Sequence, residues 1–243
     1  RIEAYAGKPH VRVLSTWINT FDTFSVRLRD IGIALPIAAR KADFGVEGAE
    51  PLSADLPPGG LRLVQHLHDQ FLLEDASGKT LRTGHRSAGW VLAHGADTAL
   101  ALSHRETWQR FPKEIELLPD SLRLHVWPAH GKDHPEINIL AKDQIHRLWF
   151  AHQGRELNMA MPWDYYFAVS EYELVDKYGK AAEHALAGVQ DYGMGTSVTS
   201  DLMLHFAPAA DAAALRPLAE CFQAAPHALP DPQWTCASLA LGY

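Results

Sequence analysis

Several features that place a sequence quickly are scarce in this one. Two cysteines occur in 243 residues, Cys221 and Cys236, both near the C-terminal end. A disulfide framework is therefore not what holds the fold. No apolar run reaches the roughly 20 residues that cross a bilayer as a helix. A basic excess is missing as well: 22 Lys and Arg stand against 29 Asp and Glu, for a net charge of −7. That balance argues against nucleic acid as the main partner. It leaves room for an acidic ligand, because a local Arg/Lys cleft works inside an acidic surface. The chain opens on Arg1 rather than Met and reads as a segment of a longer protein, which leaves its compartment, cytoplasmic, periplasmic or secreted, open. Helical periodicity is also rare, confined to Ser170 to Leu186 and to Asp211 to Ala224 with Asp211 as candidate N-cap.

What is present is alternation. His10 to Phe21 sets Val11, Val13, Ser15 and Trp17 against Arg12, Leu14, Thr16 and Ile18. Similar period-two patterns run through Phe24 to Asp30, Ile31 to Ile37 and Ala99 to Arg105. They recur in Gln144 to His152 and Thr196 to Phe206. In Ser121 to Pro128, Leu122, Leu124 and Val126 face one way while Arg123, His125 and Trp127 face the other. Such alternation marks half-buried strands. Leu61 to Glu74 reads as a strand pair, and Asp75 to Lys79 as a turn. Lys41 to Gly60, rich in Gly, Pro and acids, reads as a loop or weak hairpin. Many strands with few helices predict an all-β antiparallel sandwich or barrel. His66-x-His68 places two imidazoles on one side of a strand, a pair that suits a transition metal but lacks further ligands. No metal or other cofactor is assigned on that basis.

The most informative stretch is Gly84 to Lys113. An alternating strand there ends in Arg105-Glu106-Thr107-Trp108-Gln109-Arg110-Phe111-Pro112-Lys113. Arg and Lys pair with carboxylates, and Trp offers a flat face to a sugar ring or a cation. Read blandly, the same residues form a solvated strand end.

Together with Gln65-His66-Leu67, Phe71 to Asp75, Gly89-Trp90-Val91, Trp127 to Gly131, His152 to Leu157, Gly193 to Ser197 and Leu202 to Phe206, this stretch resembles the exo-rhamnogalacturonan lyase or YetA-like family. The resemblance covers about Val11 to Phe206. It implies a central β-sandwich similar to the galactose-mutarotase-like supersandwich, spanning residues 1–208. Residues 209–243 would be a helix and linker toward a C-terminal α/α toroid, and a small barrel would precede the chain.

The implied substrate is rhamnogalacturonan, cleaved by β-elimination at galacturonate. Such a reaction needs the carboxylate neutralised, a base near C5 and an acid near O4. The resemblance implies Arg105, Arg110, Lys113 and Arg155 as carboxylate clamp, and His130, His152, Lys113 and Tyr166 as the residues of the chemistry. Tyr165 and Tyr192 are further candidate acids. Trp90, Trp108, Trp127 and Trp163 would be sugar platforms. The implied partners are an acidic oligosaccharide or polysaccharide and the two neighbouring domains, with neither nucleic acid nor membrane. The competing reading is a binding or scaffolding sandwich whose chemistry lies in another domain. A glycoside hydrolase would need paired carboxylates, and Glu106, Glu114 and Asp164 form no recognisable pair.

Overall fold

The computed structural model describes residues 1–21, 28, 30–48, 50–128 and 197–223. In chain order the described strands are β1 (Ile2–Ala4), β2 (His10–Ile18), β3 (Ile31–Pro36), β4 (Ala39–Val46), β5 (Leu52–Asp55), β6 (Leu61–Leu67) and β7 (Gln70–Asp75). They continue with β8 (Thr80–Gly84), β9 (Ser87–Gly95), β10 (Thr98–His104), β11 (Lys113–Leu117), β12 (Ser121–Trp127) and β13 (Ser197–Pro208). One sheet has the order β1-β2-β13-β10-β9-β4-β5 and the other β3-β12-β11-β6-β7-β8, with antiparallel pairing in both. The all-β antiparallel sandwich that the alternation predicts is the observed architecture.

Alternation explains which side chains meet. Phe44, Val91, Leu100, Leu102, Leu202 and Leu204 project from the seven-stranded sheet. Leu63, Phe71, Ile115, Leu117, Leu122 and Leu124 project from the other, and the two sets form one buried core. Each such side chain removed from water contributes about 1.5–3 kcal/mol. The core lies between the two sheets, and the chain passes from one sheet to the other after β2, β3, β5, β8, β10 and β12.

Residues 41–60 depart from the loop expected there, since β4 and β5 form a paired hairpin at the edge of the seven-stranded sheet. Composition misleads here because the strand is built from small residues with a purpose. Ala42 and Phe44 are fully buried in the core, and Gly45 stands where a Cβ would overlap the Trp90 indole. The His66/His68 pair also does not share a strand face. β6 ends at Leu67, His68 lies in the turn, and His66 Nε2 instead meets Gln70 Oε1 at 2.8 Å.

After β13 a 3-10 turn (Ala209–Ala214) leads into α1 (Leu215–Gln223). Asp211 lies inside that turn, and Pro208 occupies the cap position without a side-chain bond. Leu215 and Ala219 of α1 pack with Ala212 on Trp90, Leu92, Ala99 and Ala101, forming a second core on the outer face of the seven-stranded sheet. The small alanines of β10 let the helix approach the sheet closely. The helix after residue 208 is thus itself packed on the sandwich. No described helix is long and apolar enough to cross a membrane.

Candidate functional site

The loop from β10 to β11 crosses from one sheet to the other at one end of the sandwich, and it carries most of the described candidates. Strand parity puts His104, Lys113 and Gln65 on the inward faces in line with Leu102, Ile115 and Leu63. Here the apolar core therefore gives way to a polar interior end.

Each buried group there is specifically held. Gln65, fully buried, donates to Leu67 O at 2.6 Å and to His85 O at 3.3 Å, and accepts from Ser87 N at 2.6 Å. It fastens the turn after β6 to the start of β9. Thr107 Oγ1 donates to His104 O at 2.8 Å, which commits its single proton. The 2.9 Å contact between His104 Nδ1 and that hydroxyl therefore requires the proton on Nδ1. Nε2 is left as a bare lone pair, enclosed and without a hydrogen bond among the described residues. Burial pushes the His104 imidazole down to about 3, and the charges of Lys113 and Arg110 add to that against the opposing Asp201.

Lys113 is 6% exposed, and its Nζ donates to Pro112 O at 2.9 Å and to Arg110 O. Burial, with a smaller contribution from Arg110, lowers it to about 7. The side chain expected to clamp a substrate carboxylate is turned inward onto its own loop. The Phe111–Pro112 peptide is cis, and Glu106 has φ 60°.

The arginines sit further out, each with a partner. Arg105 lies 3.4 Å from Asp201 and its guanidinium is 4.5 Å over the Phe222 ring of α1. Arg110 donates to Thr199 O at 2.7 Å. Trp108, half-buried, carries the Arg86 guanidinium at 4.0 Å over its ring. It is an occupied platform rather than a bare one. Trp90 is 2% exposed in the core beneath α1 and presents no sugar-accessible face. Trp127 ends β12 on the outer face of the other sheet, at the end of β12 that the register sets beside the start of β11. The structure thus brings Arg86, Arg105, Trp108, Arg110 and Lys113 to one end of the sandwich, with Trp90 enclosed beneath α1 and Trp127 on the outer face of the six-stranded sheet. His130, His152, Arg155, Tyr165, Tyr166, Trp163 and Tyr192 lie outside the described residues.

Sequence reasoning gave no structural role to Gln65, Gln223 or the outward face of the six-stranded sheet. Gln223 Nε2 donates to Gly89 O at 3.1 Å and His104 O at 2.8 Å, so the last turn of α1 fastens β9 to β10. On the six-stranded sheet the register sets Arg123, Glu116, Arg62 and Glu74 side by side across four strands. Arg123 and Glu116 approach to 3.4 Å, Arg62 and Glu74 to 3.2 Å. One step along, His125 pairs across to Glu114 and Gly32. Its Nδ1 meets Asp30 Oδ1 at 2.8 Å. Burial alone would lower the His125 imidazole, but Glu116 and Asp30, with the charge of Glu114, raise it to about 9. The face of β12 that carries Arg123 and His125 was visible in sequence, but not that Lys113–Leu117 forms the strand beside it.

No protein-family model matches this chain, and no curated protein matches it.

Proposed function

We propose that this sandwich recognises an acidic polysaccharide at the end where β10 crosses to β11, in a protein of the exo-rhamnogalacturonan lyase kind that cleaves by β-elimination at galacturonate. The observation that carries the reading is the stacked pair of Arg86 and Trp108 on the same edge as Arg105 and Arg110. Stacking on the indole fixes the orientation of the Arg86 guanidinium, whose Nη1 reaches Glu47 Oε2 at 3.5 Å, and a ligand carboxylate would compete with Glu47 for that plane. Arg110 stands beside it with its side chain 35% exposed. Lys113 supports this edge from beneath by holding the Arg110 and Pro112 carbonyls, and the ligand contact passes to the arginines.

A second reading, binding without chemistry in this domain, draws on the same geometry. The one described residue among the sequence's candidates for the chemistry, Lys113, is enclosed, and an enclosed amine has no path to a sugar C5 proton. In this reading the elimination uses residues outside the described part or in another domain.

Calorimetric titration of the protein with a galacturonate-containing oligosaccharide tests the proposal. Binding is expected for the acidic oligosaccharide and not for a neutral one of equal length. Arg86→Gln and Arg110→Gln should each weaken it about tenfold, the effect of losing a charge-assisted hydrogen bond of about 1.5 kcal/mol. Equal affinity for the neutral sugar, or no change in either variant, overturns the reading. Ultraviolet absorbance of an unsaturated uronate product decides between cleavage and binding alone.

A further inference from the structure

We propose that Glu114, Glu116 and His125, on the outer face of the six-stranded sheet, form a binding site for a divalent transition metal of the zinc type. One ligand atom from each of the three residues lies within 4.8 Å of the others. Two donors bound to one tetrahedral zinc at about 2.0–2.1 Å stand roughly 3.4 Å apart. The His125 Nε2 atom is 3.5 Å from Glu116 Oε2 and 4.0 Å from Glu114 Oε1. These separations suit donors around a shared cation.

A second, independent observation concerns the histidine itself. His125 is 6% exposed, its Nε2 is aimed into this carboxylate pair, and that atom makes no hydrogen bond among the described residues. Its other nitrogen is fixed, because Nδ1 meets Asp30 at 2.8 Å. A carboxylate on Nδ1 orients the ring, and a metal ion seated between Nε2 and the two carboxylates would displace the Nε2 proton that otherwise faces them. The backbone makes room for this arrangement. Gly32 lies directly across from His125 in β3, and a Cβ there would come within 3.2 Å of Nδ1. A cavity of about 220 Å³ lined by Asp30, Gly32, Ile33, Ala34, Arg123 and His125 adjoins the imidazole and gives an ion a way in.

The donor set narrows the ion. One imidazole nitrogen with two carboxylate oxygens suits zinc and its first-row neighbours, whereas calcium and magnesium prefer oxygen alone. Three protein ligands leave a fourth position for water, as in zinc sites that do chemistry rather than only hold a fold. Glu116 is also 3.4 Å from Arg123, whose side chain is 43% exposed and free to swing outward when a cation takes that carboxylate. The site lies on the face of the sheet opposite to the core, beginning one residue along β11 from Lys113.

The test uses the whole chain, stripped with a chelator and titrated with zinc sulfate in a competition assay against a chromophoric chelator. One equivalent of zinc should bind, and His125→Gln and Glu116→Gln should each weaken it at least about tenfold. Asp30→Asn, a partly exposed position that ligates nothing, should weaken it about ten- to a hundredfold through the histidine alone. It keeps the proposal open to refutation if His125→Gln fails to fold. X-ray absorption of the zinc-loaded protein should show nitrogen and oxygen neighbours without sulfur. Absence of uptake overturns the proposal. So does uptake that survives both ligand substitutions, or a sulfur shell pointing to the cysteines.

Discussion

Lowering the pH from 6.5 to 4 is expected to destabilise the folded protein by on the order of 3 kcal/mol, and His104→Asn should remove most of that slope. His104 is held at about 3 in the fold by burial and by Lys113 and Arg110, with Asp201 opposing. In the unfolded chain it titrates near 6.5. Between those values the unfolded state binds a proton that the folded state does not, so stability falls as pH falls, by about 1.4 kcal/mol per unit. The penalty is absent above about 6.5 and complete below about 3. Other groups leave this window largely clear. Hydrogen bonds from His94 and Ser53 outweigh the burial of Asp43 and hold its carboxyl at about 2, so it contributes only below about pH 4. Lys113, lowered to about 7, acts above neutrality, and His125, raised to about 9, acts above 6.5. His205, lowered by burial and by His10, adds to the slope in the same direction. In the asparagine variant the side-chain amide replaces Nδ1 toward Thr107 and carries no titrating nitrogen. Urea unfolding at half-unit pH steps measures the effect, and an unchanged acid limb in the variant would show that His104 is not its source.

Gly89→Ala should cost about 3 kcal/mol or more, a large effect for adding one methyl group. Two independent penalties combine at this position. Gly89 has φ +73°, in the left-handed region that an L side chain reaches at a cost of about 1–3 kcal/mol. A Cβ there would also meet Thr107 Oγ1 at 2.5 Å and His104 O at 2.6 Å. The carbonyl cannot retreat, because it already accepts from Thr107 and Gln223. Overpacking of this kind adds about 1–3 kcal/mol. Gly7→Ala is the control: its φ is +69°, and nothing stands within 4 Å of a Cβ there. Denaturant unfolding should separate the two variants by the packing penalty alone. Equal losses in both would mean that the contact of β9 with the β10–β11 loop is looser than described.

These two positions also mark how far the sequence could be read. Alternation in His10 to Ile18, in Ser121 to Trp127 and in Ser197 to Phe206 stated the fold class and, in each strand, which side chains face inward, because a strand's side chains alternate whatever its neighbours are. It failed at β4 because Ala42 and Gly45 carry no pattern of their own. Gly45 is required only by Trp90, which the sequence places 45 residues away. The stretch ending at Lys113 stood out by its residue types, and the structure does gather Arg86, Arg105, Trp108 and Arg110 there. It could not be read that Lys113 turns inward and Trp90 lies under α1.

What the sequence by itself determined is the fold class and, in the strands whose side chains alternate, the two faces of each, properties local to the chain. Only the tertiary structure decided their neighbours. The register that puts Glu114 beside His125, and Gly32 on the other side of that histidine, joins strands distant in sequence. The charge state of His104 likewise depends on enclosure and on cations brought in from another strand and from a loop. Burial and cross-strand pairing are properties of the assembled sandwich, and no single segment carries them.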